Sequence, residues 1–229
     1  LKTGDFMQTP RYAFFDFDGT LICQDSFLTL LKKILKSEPL RILLLLIISP
    51  FLILTGLFKL DKTLAKSLIL WSLTVGKEKR ECARFLRNIL ATESNSLWFQ
   101  EAVETFEKLK QEGVEIVVVT ASGQTWVRGM LHGKYSHFKL IIGSKLTFYA
   151  GGVILKSKNC YEKEKIKRIH EALGENIIWH SAWSDHIADL PMLLKSQKRY
   201  IICPKEKHKK IFKKKLEKNF KLLNWTVLK

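Results

Sequence analysis

Cysteine is scarce in this chain of 229 residues, which contains only four. Cys23, Cys82, Cys160 and Cys203 lack the paired spacing of a disulfide framework. We therefore expect a protein that folds in a reducing compartment. Without disulfides its stability must come from a hydrophobic core, and a chain of this length can bury a full α/β core together with an insert.

Internal repeats and low-complexity linkers are also absent from the sequence, and no signal peptide is recognisable before Asp16. The lack of repeats excludes a solenoid or another repeat array. We also expect no leader that would direct the chain to export.

Acidic residues are few, since 22 Asp and Glu face 39 Lys and Arg, which gives a formal net charge of +17. Nine lysines and two glutamates fall within residues 205–221, where Phe212, Leu216 and Phe220 recur every fourth position. This pattern predicts a helix with one apolar face and a basic remainder, typical of helices on anionic membranes. A final helix packed on the core, with its basic face in water, fits equally. A third interpretation is nucleic-acid binding, although no recognised nucleic-acid motif accompanies the charge.

The most informative stretch that is present covers residues 13–21, Ala-Phe-Phe-Asp-Phe-Asp-Gly-Thr-Leu. Its apolar run predicts a strand buried on both faces of a parallel sheet. Asp16 and Asp18, two apart, then point to one side at the carboxyl end, where open α/β sheets bind ligands. Two close carboxylates repel each other unless a cation or a shared proton intervenes, so we expect a divalent metal. The alternative is a solvated turn, because Gly19 and Thr20 lead the chain away from the strand.

A second strand is predicted over residues 114–119, which are rich in β-branched side chains and follow Gly113. The run Thr120-Ala121-Ser122-Gly123 comes next, and a helical stretch begins at Gln124. The Thr120 hydroxyl and the main-chain N–H groups after it are suited to holding phosphate oxygens at a helix N-terminus. An ordinary helix N-cap is the alternative.

A third strand over residues 177–183 leads into Ser184 and Asp185, with Asp189 four residues later. That spacing lets both acids face one side of a strand-to-helix junction. The alternative is a pair of acids favoured by the helix dipole. The neighbouring His186, like the other five histidines, is interpreted as a bystander.

Residues 159–165, Asn-Cys-Tyr-Glu-Lys-Glu-Lys, contain two candidates for a functional lysine, Lys163 and Lys165. The alternative is that this stretch is only the solvated start of a helix. Taken in chain order, the four stretches resemble the signatures of the haloacid dehalogenase-like (HAD) hydrolases, most of which are phosphatases. The family usually has glycine where this chain has Glu162 and Ser184. The resemblance covers about residues 10–23 and 110–205.

This resemblance implies an α/β fold, with a Rossmann-like parallel sheet, helices on both faces and an inserted all-helical cap. The catalytic core is expected to comprise residues 1–23 and 110–229, including the basic C-terminal helix. The cap is expected to comprise residues 24–109.

The resemblance also implies roles for individual residues. Asp16 would be the nucleophile that forms an aspartyl-phosphate, and Asp18 would be the general acid and base. Mg²⁺ would be held by Asp16, the main-chain carbonyl of Asp18 and the side chain of Asp185. Asp189 would orient Lys165 or a metal-bound water.

The remaining implied roles concern the substrate phosphate. Lys165, or Lys163 as the alternative, would neutralise the phosphoryl oxygens together with Thr120 and Ala121. Gly19 would let the backbone approach the phosphate. Asp25, nine residues after Asp16, matches an acid of the phosphoserine-phosphatase-like members and would contact the substrate.

The insert contains residues 42–58, seventeen in a row without a charge. One helix of this length would measure roughly 25 Å, short of the roughly 30 Å hydrocarbon core, and Pro50 interrupts it. A single crossing would also separate Asp16 from Asp185 across the bilayer. We therefore expect a helical hairpin bent at Pro50 and inserted into one leaflet. A buried hairpin in a soluble cap is the alternative.

With this insert the chain also resembles one branch of subfamily IB, the bacterial phosphatidylglycerophosphatases C, through Gln24-Asp25, residues 68–71, Asn159-Cys160 and Ser184-Asp185. The branch implies dephosphorylation of phosphatidylglycerophosphate at the cytoplasmic face of the inner membrane.

Two other functions stay open. One alternative is a phosphoserine-phosphatase-like hydrolase of a small phosphomonoester. The other is a non-catalytic basic protein that binds lipid or nucleic acid, which would have no need of four converging carboxylates.

Overall fold

The computed structural model describes residues 9–58, 62–91, 97–132, 138–217 and 219–227. The strands in these ranges are β1 (Arg11–Phe15), β2 (Glu115–Gly123), β3 (Leu140–Ser144), β4 (Leu146–Tyr149), β5 (Gly152–Leu155), β6 (Ile178–Ser184), β7 (Lys198–Ile202) and β8 (Lys221–Leu223). The helices are α1 (Ser26–Ser37), α2 (Arg41–Leu57), α3 (Lys62–Thr74), α4 (Lys79–Asn88), α5 (Gln100–Gln111), α6 (Gln124–Leu131), α7 (Lys163–Leu173), α8 (Leu190–Lys195) and α9 (Glu206–Lys215), with a 3₁₀ turn at Ile187–Asp189.

Six strands form one parallel sheet in the order β3-β2-β1-β6-β7-β8. Its central strands are apolar on both sides, and two separate clusters of buried side chains lie against it. Helices must therefore cover both faces of the sheet. This arrangement confirms the expected Rossmann-like α/β fold.

Three stacked aromatic rings fix the register of the central strands. Phe15 of β1 lies opposite Trp183 of β6, and Trp183 lies opposite Tyr200 of β7. The ring centroids are 4.2 Å apart in the first pair and 4.5 Å in the second, and both pairs are nearly coplanar. A slip of one residue would turn these rings to the other face, so the stack opposes it. The register places Asp16, the residue after Phe15, beside the end of β6.

The long apolar segment of the insert forms one continuous helix, α2, so the predicted hairpin bent at Pro50 is wrong. Proline cannot donate to the carbonyl four residues earlier, which here belongs to Leu46. The Ser49 hydroxyl donates to that carbonyl instead, at 2.7 Å. The helix therefore passes through Pro50 with its Leu46 acceptor satisfied. The helix packs against α3.

Much of the surface of α2 is apolar and open. Ile47, Phe51 and Leu57 are 68%, 62% and 71% exposed, and several neighbouring leucine and isoleucine side chains are similarly open. In the ranges that the structure describes, no helix has both the length and the apolar character needed to cross a membrane.

The insert ends earlier than predicted, because α5 packs on the sheet rather than in the cap. Ala102, Phe106 and Leu109 of α5 are buried. The Phe106 ring lies 4.8 Å from the ring of Phe15 in β1. The cap therefore consists of α1 to α4, and residues 100–109 belong with the catalytic core.

The apolar face of the basic C-terminal helix is covered by the core. Phe212 and Leu216 are buried with the cluster that contains Phe14 and Trp179, and Phe220 packs against the same cluster. This face is therefore not available to a membrane. This packing agrees with the alternative to a membrane-surface helix, namely a final helix packed on the core with its lysines in water.

Glu162, which stands where the family usually has glycine, has a backbone conformation that favours glycine. Its φ is 50° and its ψ is −124°, immediately before α7. A side chain in such a region costs of order 1–3 kcal/mol. Glu162 therefore occupies a backbone conformation that glycine would adopt without strain.

We predict that Glu162→Gly stabilises the protein by about 1 kcal/mol, because the relieved strain exceeds the roughly 0.5–1 kcal/mol entropic cost of glycine. Urea denaturation measures the change. Glu171→Gly is the control, since this exposed glutamate lies within α7, where glycine costs about 1 kcal/mol. Destabilisation of equal size by both variants would contradict the assignment of strain to Glu162.

Candidate active site

A cavity of about 600 Å³ lies at the carboxyl ends of β1, β2 and β6, partly under α3 of the cap. It collects eight of the nine residues predicted for the site: Asp16, Asp18, Gly19, Asp25, Ala121, Lys165, Asp185 and Asp189. These residues come from both ends of the sequence, and the parallel sheet brings them together because its strands all end at one edge.

The ammonium of Lys165 lies between two carboxylates on the floor of the cavity. Its Nζ is 2.7 Å from Oδ1 of Asp16 and 2.7 Å from Oδ1 of Asp189, and all three side chains are buried. Burial opposes the charge of the lysine, but the two carboxylates outweigh it and raise the pKa of Lys165. The alternative lysine, Lys163, is exposed at the start of α7. Of the two candidate lysines, Lys165 is the one that lines the cavity.

Arg168, one turn after Lys165 on α7, holds this helix against the neighbouring loops. Its guanidinium donates to the carbonyl of Gly143 at 2.9 Å, to the hydroxyl of Ser157 at 3.0 Å and to the carbonyl of Lys158. Because the fork of arginine fixes several acceptors at once, it sets the position of the first turn of α7.

The carboxylate of Asp18 is held by two serines. The main-chain N–H of Ser26 donates to Oδ1 at 2.6 Å, and the Ser122 hydroxyl donates to Oδ2. Ser26 and Ser122 are joined by a hydrogen bond of 2.9 Å, and Trp126 donates to the Ser26 hydroxyl at 3.1 Å. Burial, and then the charge of Asp25, raise the pKa of Asp18 against the effect of these hydrogen bonds. A raised pKa favours the protonated form of this carboxyl group.

The third carboxylate, Asp185, is positioned by the turn that follows β1. Its main-chain N–H donates to the Thr20 hydroxyl at 3.1 Å. Gly19, at φ 76°, lies so close that a Cβ on it would be 2.6 Å from Oδ2 of Asp185. Glycine is therefore required here for two reasons, its backbone conformation and the space taken by the carboxylate.

The carboxylates fit a hard divalent cation. Oδ1 of Asp185 is buried without a hydrogen-bond partner. Burial, and then the charge of Asp189, raise the pKa of Asp185 to about 7, and burial holds the pKa of Asp16 well above its usual value. A cation would satisfy the unpaired oxygen and lower both pKa values.

No group of three or more His, Cys, Asp or Glu side chains suited to a metal occurs within the described part of the chain. The set implied by the resemblance has only two such side chains, those of Asp16 and Asp185, and adds the main-chain carbonyl of Asp18. Such an oxygen set with few protein ligands is typical of Mg²⁺, which usually keeps several waters.

Thr120 is the one predicted residue that does not line the cavity. It is fully buried, and its hydroxyl accepts the Ser122 main-chain N–H at 2.9 Å. Ala121 and Ser122 form the cavity wall in its place. Asp25 lines the cavity but also caps α1, because its Oδ1 accepts the main-chain N–H groups of Phe27 and Leu28.

Several cavity residues were missed in the sequence. Ser122 had a signal, since it stands in the same run as Thr120. Ser26, which bonds Asp18 but does not line the cavity, had none. Lys62 and Lys66 of the cap reach the cavity and are one helical turn apart. His186 also lines it, with its ring 4.3 Å from the ring of His208, and its interpretation as a bystander to the chemistry stays a prediction.

Comparison with known proteins gives relatives of similar length. The chain is 29% identical over 194 residues to protein CicA of Caulobacter vibrioides, covering 83% of this chain and 85% of that protein. It superposes with a TM-score of 0.73 on a crystal structure of a Bordetella pertussis Tohama I protein of unknown function, at 17% identity, covering 94% and 99% of the two chains.

A third match is the structure of a phospho-aspartyl intermediate analogue of phosphoserine phosphatase. It superposes with a TM-score of 0.54 at 17% identity, covering 91% of each chain. At such identities the two structural matches establish the fold. The family model of the haloacid dehalogenase-like hydrolases matches residues 13–194, and the protein therefore belongs to that family.

Proposed function

We propose that this protein is a Mg²⁺-dependent phosphomonoester hydrolase that works through an aspartyl-phosphate on Asp16. The observation that carries the proposal is the position of Asp16 on the floor of the cavity, with one oxygen held by Lys165 and with Asp18 and Asp185 beside it. A nucleophile, an acid and a cation are thereby assembled around one site.

The residues divide the reaction into two displacements. Lys165 binds Oδ1 of Asp16, which leaves Oδ2 to attack phosphorus. As the new P–O bond forms, the ester P–O bond breaks and Asp18 gives its proton to the departing alkoxide. Asp18 then takes a proton from water, which attacks the aspartyl-phosphate and releases inorganic phosphate. Acid and base assistance of this kind contributes about 10²–10⁴-fold.

Asp16, the main-chain carbonyl of Asp18 and Asp185 are the groups that would hold Mg²⁺. When bound, the ion supplies neutralisation of the phosphoryl oxygens. Lys165 supplies a second positive charge on the same side. Asp189 keeps that lysine charged and oriented, and the Ser184 hydroxyl holds Asp189 at 2.7 Å.

The substrate supported best is a small phosphomonoester. The likeness to phosphoserine phosphatase over 91% of the chain supports this class. So does the attachment of α3, which lies partly over the cavity, because its Thr63, Ser67 and Thr74 accept main-chain N–H groups from residues 153–159 of the core. A helix held in this way limits the room for the alcohol part of a substrate.

A second candidate is a phosphomonoester on a lipid, such as phosphatidylglycerophosphate, and the exposed apolar surface of α2 favours it. Exposed patches of this kind mark membrane or protein contacts. The helix ends at Leu57, and Lys62, a few residues later, lines the cavity. A membrane that covered α2 would therefore lie near the cavity mouth, at the cytoplasmic face if the chain stays inside the cell.

We predict that Asp16→Asn abolishes turnover of p-nitrophenyl phosphate, because an amide does not attack phosphorus. Steady-state assays with purified protein check this, with circular dichroism to confirm the fold. Residual activity within about tenfold of the original, roughly 1.4 kcal/mol of barrier, would remove Asp16 from the nucleophile role.

We predict that Asp18→Asn slows turnover of alkyl phosphates far more than turnover of p-nitrophenyl phosphate, whose leaving group needs little protonation. Equal losses of activity on both substrates would argue against the acid role of Asp18.

We predict that Lys165→Met lowers kcat by about 10²–10³-fold, the usual effect of deleting one group that stabilises charge in the transition state. Lys163→Met is the matched control and should stay within about twofold, because that side chain is exposed two residues away. Assays on the two variants, with thermal melting as a check of folding, make the comparison. Similar losses in both would reject the geometric choice of Lys165.

We predict that Leu46→Glu with Phe51→Glu, both on the exposed surface of α2, separates the two substrate candidates. If the lipid candidate is right, the double variant loses sedimentation with anionic liposomes and turnover of phosphatidylglycerophosphate in mixed micelles, while p-nitrophenyl phosphate turnover persists. Leu194→Glu, on a leucine 51% exposed in α8 of the core, controls for added charge. Normal lipid turnover by the double variant would reject the lipid candidate and leave a small phosphomonoester as the proposed substrate.

A further inference from the structure

Three buried side chains behind Asp18 form one chain of hydrogen bonds. The indole N–H of Trp126 donates to the Ser26 hydroxyl at 3.1 Å. The Ser26 hydroxyl donates to that of Ser122 at 2.9 Å, and the Ser122 hydroxyl donates to Oδ2 of Asp18. All three side chains are withdrawn from water. Residues from α1, β2 and α6 therefore meet at one carboxylate.

The direction of this chain is fixed at both of its ends. An indole N–H can only donate a hydrogen bond, and an ionised carboxylate can only accept one. The proton of the Ser26 hydroxyl is therefore turned away from Trp126, and the chain delivers a hydrogen bond to Asp18 from one side. Buried polar groups whose hydrogen bonds are satisfied in this way are held rigidly.

The other oxygen of the same carboxylate is also bound. The main-chain N–H of Ser26 lies 2.6 Å from Oδ1 of Asp18. Two hydrogen bonds to two oxygens fix both the position and the plane of the carboxyl group. The two oxygens together have about four acceptor sites, so Asp18, which lines the cavity, keeps sites at which it can take up and give up a proton.

The residue after Ser122 makes room for the indole. A Cβ on Gly123 would overlap the six-membered ring of Trp126. The φ of Gly123 is −69°, which any residue adopts, so the ring rather than the backbone conformation requires glycine here. Gly123 thus lets Trp126 reach Ser26 and complete the chain.

We propose that Ser122, Ser26 and Trp126 are positioning residues that hold the Asp18 carboxyl group where it protonates the leaving group. This inference rests on the proposed phosphomonoester hydrolysis, in which Asp18 gives a proton to the departing alkoxide and recovers one from water. The three side chains act only through the geometry of Asp18. Their loss therefore affects most those substrates whose leaving group most needs a proton.

The experiment compares kcat/KM, which reports the step in which the leaving group departs, for phenyl phosphate and p-nitrophenyl phosphate. The two have similar shapes, but the phenyl leaving group has the greater need for a proton. Ser122→Ala should lower kcat/KM about tenfold more for phenyl phosphate, a part of the roughly 10²–10⁴-fold that acid assistance contributes. Ser122→Thr, which keeps a hydroxyl, should restore much of the difference. Trp126→Phe, which keeps a ring but loses the N–H, should shift the ratio in the same direction by about threefold.

Ser196→Ala is the matched control. Ser196 is also a buried serine, its hydroxyl donates to the Met192 carbonyl at 3.1 Å, and it lies outside the cavity. Its substitution should leave the ratio of the two kcat/KM values unchanged. In the Asp18→Asn protein, Ser122→Ala should have no further effect on that ratio, because the carboxyl group through which it acts is gone.

The outcomes separate the inference from the function beneath it. Equal losses on both substrates from Ser122→Ala would mean that Ser122 binds the phosphate or only packs, and would overturn the inference. An undiminished effect on the ratio in the Asp18→Asn protein would overturn it as well. If circular dichroism shows that Ser122→Ala does not fold, Trp126→Phe decides by the same two criteria. If the original protein hydrolyses neither substrate, the proposed function itself fails.

Discussion

The buried pairing of Lys165 with Asp16 and Asp189 is the interaction on which the rest of the site depends. It joins the first turn of α7 to the end of β1 and to the 3₁₀ turn after β6. Removing one partner from a buried ion pair costs about 3–5 kcal/mol, because the remaining charge has no compensation. The three segments are therefore locked to one another, and the cavity floor exists only where the sheet register brings them together.

The parts of the site that the sequence predicts are those at strand ends. Asp16, Asp18 and Asp185 each follow an apolar run, and the carboxyl ends of parallel strands meet at one edge. The strand-end acids depend on local pattern and on one rule of topology, so they were accessible without coordinates. The glycine-favouring position at Glu162, whose backbone φ is positive, was located differently, through the resemblance to the family.

The parts that could not be predicted depend on contacts between distant segments or on satisfied backbone groups. Ser26 and Ser122 meet across 96 positions to hold Asp18. Periodicity showed that Phe212 and Leu216 share a helix face, but not that the core covers it. The prediction of a hairpin at Pro50 was wrong because the Ser49 hydroxyl donates to the Leu46 carbonyl, which proline leaves without a donor. A pattern states which side chains lie together; it does not state what lies against them.

The cap combines two surfaces with opposite chemistry on adjacent helices. Outwardly, α2 presents leucine, isoleucine and phenylalanine, whereas α3 turns Lys62 and Lys66 toward the cavity. Thr63, Ser67 and Thr74 attach α3 to the core, because their hydroxyls accept main-chain N–H groups from residues 153–159. Because α2 packs against α3, the exposed apolar surface and the two lysines at the cavity belong to one helical unit that is hydrogen-bonded to the core.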